Sequence, residues 1–159
     1  MLIFLTDKKI DSDSFIRACV EEYWDFYSLP KRDFTIIRDS SKKPRLELEA
    51  PKFSLSHSGK YTMLAISSKE VGLDIQRHND CDFSIISKRF FHKDEQDLEK
   101  REFFDLWAAK EAYAKCKEIE LIAALRTFIK DKNITLLNLI DNYSVAIASQ
   151  DKDILIIIK

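Results

Sequence analysis

The stretch YTMLAISSKEVGLDIQ, residues 61–76, predicts two β-strands joined by a short polar turn. Its apolar residues run through Tyr61–Ser67 and again through Val71–Ile75. Because side chains alternate between the two faces of a strand, Asp74 and Gln76 lie together on the face opposite the apolar set. Two oxygen donors on one face can bind a hard cation, or they can form the solvated face of an antiparallel sheet. The stretch alone leaves both interpretations open.

The surrounding pattern predicts an α+β fold in which an antiparallel sheet packs with a long helix. Helices are predicted at 12–27, 84–91 and 93–117, the last of them with a break near Arg101. Further extended segments are predicted at 34–38, 45–48, 53–56, 121–130, 134–139, 143–149 and 154–158. Strands grouped around a few helices, without regular alternation of the two, favour α+β over a doubly wound parallel sheet.

Composition argues against several classes of function. The 159 residues carry a net charge of -1, which disfavours a general nucleic-acid binder. Two glycines are too few for a glycine-rich nucleotide loop, and three scattered cysteines indicate neither a zinc site nor a disulfide framework. No run approaches the roughly 20 apolar residues of a membrane span, and the apolar run Met1–Leu5 is too short for a signal peptide. We therefore expect a soluble, cytoplasmic protein that binds neither nucleic acid nor membrane.

A second polar segment, WAAKEAYAK at residues 107–115, lies in the long predicted helix. Trp107, Glu111 and Lys115 are four residues apart, so they share one helix face. Taken alone, Glu111 and Lys115 form an ordinary surface pair. If Glu111 and Asp74 converge, however, their carboxylates repel each other unless a cation joins them, and magnesium with a phosphorylated ligand suits that arrangement.

A third segment, SLSHSG at residues 54–59, places an imidazole among hydroxyls at a permissive turn, which can cradle a phosphate. A lone loop histidine such as His57 is more often structural. A serine-nucleophile triad is not supported, because Ser58 lacks a strand-to-helix nucleophile elbow. His78 and His92 are expected to face solvent.

Together these segments resemble the 4′-phosphopantetheinyl transferase superfamily, whose hallmark is a G-[VIL]-D-[IVL] strand followed by W-x-x-K-E-A-x-x-K. Gly72–Ile75 and Trp107–Lys115 match the two halves in order. The stretch Ser54–Gly59 resembles the S-H-S-G segment of the surfactin-synthetase-activating type, and Lys43-Pro44 resembles its K-P element. Phe90–Glu95 resembles its F-F-x-x-x-E stretch.

The resemblance implies an enzyme of the holo-[acyl-carrier-protein] synthase class. Such an enzyme moves the phosphopantetheine arm of coenzyme A onto a serine of an apo acyl or peptidyl carrier protein, as in fatty acid biosynthesis, and releases adenosine 3′,5′-bisphosphate. The implied fold is the family's α+β unit, here a core domain at 51–159 with a reduced N-terminal subdomain at 1–50. A monomer is favoured over an oligomer that completes the site between subunits.

Carried over by position, the resemblance also implies residue roles. The catalytic residues would be Asp74, Glu111 and Lys115, with Glu111 a candidate base for the serine hydroxyl. Magnesium would be held by Asp74, Glu111 and Gln76. Coenzyme A would be held by Lys43, Pro44, Ser56, His57, Lys110 and Lys115, with Trp107 and Lys110 supporting the helix or the phosphates.

The chain departs from the family pattern at three places. Gln76 stands where the larger type usually has a third acid, and Cys116–Leu121 lacks the usual glycine pair. The first half is also shortened, so the basic residues that the family places near the 3′-phosphate of coenzyme A are expected to be missing. The competing hypothesis is a degenerate member that binds coenzyme A or a carrier protein without transfer. A basic and apolar carrier surface is expected at Lys88, Arg89 and Phe90, because carrier proteins are usually acidic.

Overall fold

The computed structural model describes residues 1–39, 43–129 and 132–159. Within them, the α-helices are α1 (Ser12–Phe26), α2 (Phe83–Phe90), α3 (Lys100–Lys117) and α4 (Leu121–Arg126). The strands are β1 (Leu2–Thr6), β2 (Ile36–Ile37), β3 (Arg45–Leu46), β4 (Lys52–Ser58), β5 (Tyr61–Ser67), β6 (Val71–Arg77), β7 (Ile134–Leu137), β8 (Tyr143–Ser149) and β9 (Leu155–Ile158). A 3₁₀ turn at Lys93–Glu95 precedes α3.

The strands form two main sheets and one short ribbon. The first sheet has the order β4-β5-β1-β9, antiparallel except where β1 and β9 run parallel. The second has the antiparallel order β6-β8-β7, and β2 pairs with β3 in a separate ribbon. Mixed α and β content with mainly antiparallel sheets confirms the predicted fold class at this coarse level.

Alternating side chains divide the core into layers. On β1, Leu2 and Phe4 join the apolar cluster under α1, whereas Ile3 and Leu5 join a cluster with residues of β6 and β8. The two sheets therefore pack face to face. Helix α1 covers the outer face of the first sheet, and α3 covers the outer face of the second.

Serine hydroxyls join the edges of the two sheets. Strands β4 and β6 lie side by side, but backbone N–H groups of β6 donate to side chains of β4. The three hydrogen bonds run from Leu73 N to Ser54 Oγ (2.9 Å), from Ile75 N to Ser56 Oγ (3.3 Å) and from Arg77 N to Ser58 Oγ (2.9 Å). We call these hydroxyls the serine ladder. It satisfies edge N–H groups that a strand would otherwise pair.

Several predicted elements differ from the observed ones. The apolar run Met1–Leu5, for which no strand was predicted, contains most of the interior strand β1, whose residues are buried on both faces and so show no polar alternation. The segment 121–130 was predicted as extended, yet α4 occupies Leu121–Arg126 because Leu125 packs into an aromatic cluster with Phe103. Lys130 lies outside the described residues. The break before α3 lies at 96–99, where Glu99 begins a capping box, rather than near Arg101.

The predicted division at residue 50 crosses the first sheet. Strand β1 precedes that boundary, whereas β4, β5 and β9 follow it. The two units at 1–50 and 51–159 therefore share hydrogen-bonded strands, and their separate identity stays a prediction. In the described part of the chain, no helix combines the length and apolar character needed to cross a bilayer.

Candidate active site

A glycine on β6 brings α3 close to the second sheet. A Cβ on Gly72 would overlap the carbonyl oxygen of Ala112 and lie 2.6 Å from the backbone nitrogen of Cys116. The inward positions of α3 are themselves small, since Ala108 and Ala112 are fully buried against β8. This close approach sets the last turns of α3 directly over β6, where Asp74 lies.

Asp74 is held in a buried polar cluster at the β4–β6 junction. Its side chain is 3% exposed, and its Oδ1 accepts hydrogen bonds from Ser56 Oγ (2.7 Å) and Lys115 Nζ (2.6 Å). Lys115 also donates to Ser56 Oγ (3.3 Å) and to the Leu73 carbonyl (3.2 Å). Strand β4, strand β6 and helix α3 therefore each supply one side chain to a single cluster.

Glu111 lies beside this cluster, one helical turn before Lys115. Its Oε1 accepts a hydrogen bond from the Trp107 indole at 2.8 Å, and its Oε2 lies 3.9 Å from Lys115 Nζ. Burial raises the pKa of Glu111 above its usual value, and the negative charge of Asp74 raises it further, against the opposing effects of Lys115 and Trp107. A carboxylate with a raised pKa beside a cleft is a candidate general base.

A cleft of about 300 Å³ opens beside the cluster. Its walls include Lys43, Glu111 and Lys115, with the start of α4 on another side. Lys43 donates to the Val71 carbonyl at 3.0 Å, and its pKa is lowered by burial although Glu70 opposes that effect. The two lysines offer ammonium groups to phosphate oxygens, and three glutamates line the same cleft, Glu111, Glu118 and Glu120.

The donor set fits a hard divalent cation with two acids. Among the described residues, Asp74 Oδ2 is a buried oxygen without a hydrogen-bond partner. Glu111 supplies a second carboxylate, and Gln76 lies half buried two residues after Asp74 on β6. Within the described ranges, no group of three or more His, Cys, Asp or Glu is arranged to hold a metal. The site therefore has two acids, with a neutral amide as the remaining candidate ligand.

Strand alternation separates two of the predicted phosphate contacts. Ser56 faces β6, whereas His57 is exposed and lies on the same side of β4 as Phe53 and Leu55, which pack towards α1. Ser56 is bound into the Asp74 cluster, and His57 is not part of that cluster. A phosphate contact by His57 must therefore involve a different part of the ligand from the one beside Lys115.

Lys110 points away from the cleft. Its side chain is fully buried, and its Nζ bonds Glu95 Oε2 at 2.6 Å and the Thr127 carbonyl at 2.7 Å. The other oxygen of Glu95 accepts the Ile129 N–H at 3.1 Å. Because this ammonium is enclosed and bonded to Glu95 and to the Thr127 carbonyl, we correct its predicted role from coenzyme contact to support, in which it joins α3 to the segments around it.

His78 was expected to face solvent, whereas the structure places it half-buried. Its ring stacks on Phe104 with centroids 4.9 Å apart, and its Nε2 lies 2.8 Å from Ser144 Oγ. Ser144 in turn donates to Asp105 Oδ1 at 2.5 Å. Sequence reasoning missed this arrangement. The signal was the two-residue spacing of Asp74, Gln76 and His78, which puts His78, one residue after β6, on the same side as the other two.

The turn after α3 contains a glutamate in a left-handed conformation, which glycine adopts more readily. Glu118 adopts a left-handed conformation with φ 52° and ends α3, and the Ile119 N–H donates back to the Ala114 carbonyl at 3.1 Å. A residue with a Cβ is disfavoured there by about 1–2 kcal/mol relative to glycine's freedom.

Glu118→Gly is expected to raise the free energy of unfolding by about 1 kcal/mol, because glycine enters the left-handed region without a Cβ clash. Thermal unfolding followed by circular dichroism measures this gain in stability, and the expected Tm increase is about 2–4 °C for a chain of this size. Glu21→Gly, in the exposed interior of α1, is the control and should lose about 1 kcal/mol. A loss of stability in Glu118→Gly would contradict the expectation.

Comparison with known proteins supports one family. The model of the 4′-phosphopantetheinyl transferase superfamily matches residues 70–153, which is more than half of the chain and includes β6, α3 and β8. The 4′-phosphopantetheinyl transferase gsp of Aneurinibacillus migulanus is 30% identical over 116 residues, which are 68% of this chain and 48% of that protein. The psf-1 enzyme of Bacillus pumilus is 36% identical over 109 residues, covering 63% and 45% of the two chains.

The 4′-phosphopantetheinyl transferase Sfp of Bacillus subtilis is 32% identical over 98 residues, covering 56% of this chain and 43% of that protein. The chain thus spans about half the length of the curated relatives that it matches. The matched region contains Asp74, Glu111 and Lys115, which the fold brings together beside one cleft. This chain belongs to the 4′-phosphopantetheinyl transferase superfamily.

Proposed function

We propose that this protein transfers the 4′-phosphopantetheine group of coenzyme A to a serine of an apo acyl or peptidyl carrier protein, with magnesium. One observation carries the proposal: Lys115 bonds the buried carboxylate of Asp74 and lies beside Glu111, and both Lys115 and Glu111 line a cleft with Lys43. The protein would act as a cytoplasmic monomer, without nucleic acid or membrane as a partner. The family membership supports the reaction class.

Magnesium would be held by Asp74 and Glu111, with the Gln76 amide oxygen as a neutral ligand. The orphaned Oδ2 of Asp74 is the buried oxygen that such an ion would satisfy among the described residues. When bound, the metal would draw negative charge from the phosphate oxygens of the substrate. Gln76 contributes no charge, so we expect weaker metal binding than three acids would give.

The residues of this chain would then position the reactants and move one proton. The pyrophosphate of coenzyme A would lie in the cleft, where the ammonium groups of Lys43 and Lys115 neutralise its charge. Glu111 would accept the proton of the carrier serine as the serine oxygen forms a bond to the β-phosphorus. The bond from that phosphorus to the bridging oxygen breaks, and adenosine 3′,5′-bisphosphate leaves with the electron pair.

Ser56 would act as a positioning residue, since it donates to Asp74 and accepts from Lys115 and from the Ile75 N–H. His57 and Pro44 would meet the outer parts of coenzyme A, His57 from the exposed face of β4.

Mass spectrometry of an apo carrier protein, incubated with this protein, coenzyme A and magnesium, tests the proposal. The wild type should add one phosphopantetheine to the carrier, and Asp74→Asn should not. Glu21→Gln is the matched control, since it removes one carboxylate charge from an exposed site on α1. Binding of coenzyme A without a mass gain, on both acyl and peptidyl carriers, would instead identify a binding protein without transfer activity.

The carrier protein is proposed to dock on α2. Lys88 and Arg89 are exposed in its last turn, and Ile85, one turn earlier, is 64% exposed. Two cations beside an apolar side chain complement an acidic partner helix.

Lys88→Glu combined with Arg89→Glu is expected to raise KM for the carrier about tenfold or more, because two attractive contacts become repulsive. Steady-state kinetics measures the effect, and KM for coenzyme A should stay unchanged. Lys8→Glu combined with Lys9→Glu, on an exposed turn before α1, makes the same charge change elsewhere. An equal rise in KM for both pairs would show that only net charge matters.

A further inference from the structure

The ammonium of Lys115 occupies the centre of the acidic cluster. It donates to Asp74 Oδ1 at 2.6 Å, to the Leu73 carbonyl at 3.2 Å and to Ser56 Oγ at 3.3 Å. A lysine ammonium has three hydrogens, and these three acceptors use all of them. The same Nζ lies 3.9 Å from Glu111 Oε2, so one cation lies between two carboxylates.

The ammonium of Lys115 compensates the two carboxylate charges unevenly and incompletely. Two carboxylates and one ammonium leave one net negative charge in the cluster. Asp74 Oδ1 has two donors, whereas Oδ2 of the same carboxylate is buried with no partner in the part of the chain that the structure describes. The cluster therefore keeps a net negative charge and one unpaired carboxylate oxygen. Both lie beside an ammonium that already bonds the other oxygen of Asp74.

A divalent cation and the ammonium cannot both be held well there. With Lys115 in its present position, a divalent ion would turn one net negative charge into one net positive charge and would repel the ammonium at short range. Lys115 has an alternative position, because its side chain is 25% exposed and lines the cleft. The stem of four carbons allows the ammonium to reach the cleft without moving α3.

We propose that the Lys115 ammonium is an internal counter-cation that competes with the metal for Asp74, and that metal binding releases it into the cleft to meet phosphate. This inference rests on the metal site of the proposed function. It gives Lys115 two successive partners, the carboxylate of Asp74 before the metal binds and an anionic ligand afterwards. It also makes metal and phosphate binding mutually favourable, because each stabilises the released position of the lysine.

The test is the affinity of the purified protein for Mn²⁺ alone, measured by isothermal titration calorimetry or by the electron paramagnetic resonance signal of free Mn²⁺. Lys115→Met is expected to bind Mn²⁺ at least roughly tenfold more tightly than the wild type, because a competing charge next to the site is gone. Lys43→Met is the control: it removes a lysine of the same cleft whose Nζ bonds the Val71 carbonyl rather than Asp74. It should change the affinity by less than about threefold.

A second readout covers the case in which Lys115→Met is unstable without metal. Removal of the ammonium leaves buried Asp74 uncompensated, so the Tm in EDTA should fall and Mn²⁺ should restore it more than it raises the wild-type Tm. Lys115→Gln should behave alike, since it keeps a hydrogen-bond donor without the charge. A variant that binds Mn²⁺ no tighter than the wild type, or that folds in neither condition, would overturn the proposal.

These outcomes are separable from the proposed transfer reaction. Tighter Mn²⁺ binding in Lys115→Met together with no transfer by the wild type would support the cation competition and reject the enzymatic proposal. Transfer by the wild type with unchanged Mn²⁺ affinity in Lys115→Met would support the enzymatic proposal and reject the cation competition.

Discussion

Glu111→Gln is expected to lower the turnover number for phosphopantetheine transfer about 10²–10⁴-fold, the usual range for loss of a general base. Glutamine keeps an oxygen for the Trp107 indole N–H but cannot accept the serine proton. At saturating magnesium, KM for coenzyme A should change less than the turnover number, because the lost base acts on the carrier serine whereas Lys43 and Lys115 still line the cleft for the coenzyme phosphates. Initial rates of holo-carrier formation, separated by mass spectrometry, measure both quantities.

The same variant is expected to have a Tm at least as high as the wild type. Burial and the charge of Asp74 raise the pKa of Glu111, which means that the folded state disfavours its ionised form. A neutral amide removes this repulsion, so activity and stability should move in opposite directions. Wild-type turnover in Glu111→Gln would exclude the base role, and a large loss of Tm would point to a structural one.

Gly72→Ala is expected to destabilise the fold by about 3 kcal/mol or more, at the upper end of overpacking substitutions. The added Cβ would overlap the Ala112 carbonyl, which belongs to the backbone of α3 and cannot rotate away. Chemical denaturation followed by circular dichroism measures the loss of free energy. If the variant folds, α3 must shift outward, so Glu111 and Lys115 move relative to Asp74 and transfer should also fall.

Gly59→Ala is the matched control, since it is the same substitution at the other glycine. Gly59 has φ 58°, and a Cβ there would overlap the Tyr143 hydroxyl, the far end of a side chain that can move. The expected cost is about 1–2 kcal/mol from the left-handed conformation. Equal costs at the two positions would show that the close approach of α3 to β6 does not require glycine.

Much of the candidate site could be predicted from local spacing. The four-residue interval placed Glu111 and Lys115 on one face of α3, and their Nζ–Oε2 distance is 3.9 Å. The two-residue interval placed Asp74 opposite the apolar residues of β6, and those residues do join the inner core. The resemblance supplied the expectation that these two faces belong to one site.

Other features depended on partners that are distant in the chain. Met1–Leu5 shows no alternation because β5 and β9 enclose it in the sheet and apolar layers bury both of its faces. Lys110 and Lys115 are equally plausible phosphate ligands by sequence, yet Glu95 and Thr127 enclose the first of them. No local pattern predicts the contacts of His78, since Phe104 and Ser144 reach it from α3 and β8.

The sequence by itself determined which side chains share a face of β6 and which share a face of α3, because these periodicities are properties of neighbouring residues. Only the tertiary structure decided that the two faces meet. Contact between Asp74 and Lys115, 41 residues apart, requires the close packing of α3 on β6 at Gly72 and the serine ladder that sets β4 beside β6. Burial of Asp74, and with it the demand for a cation, arises from that packing, since desolvation depends on every layer that excludes water.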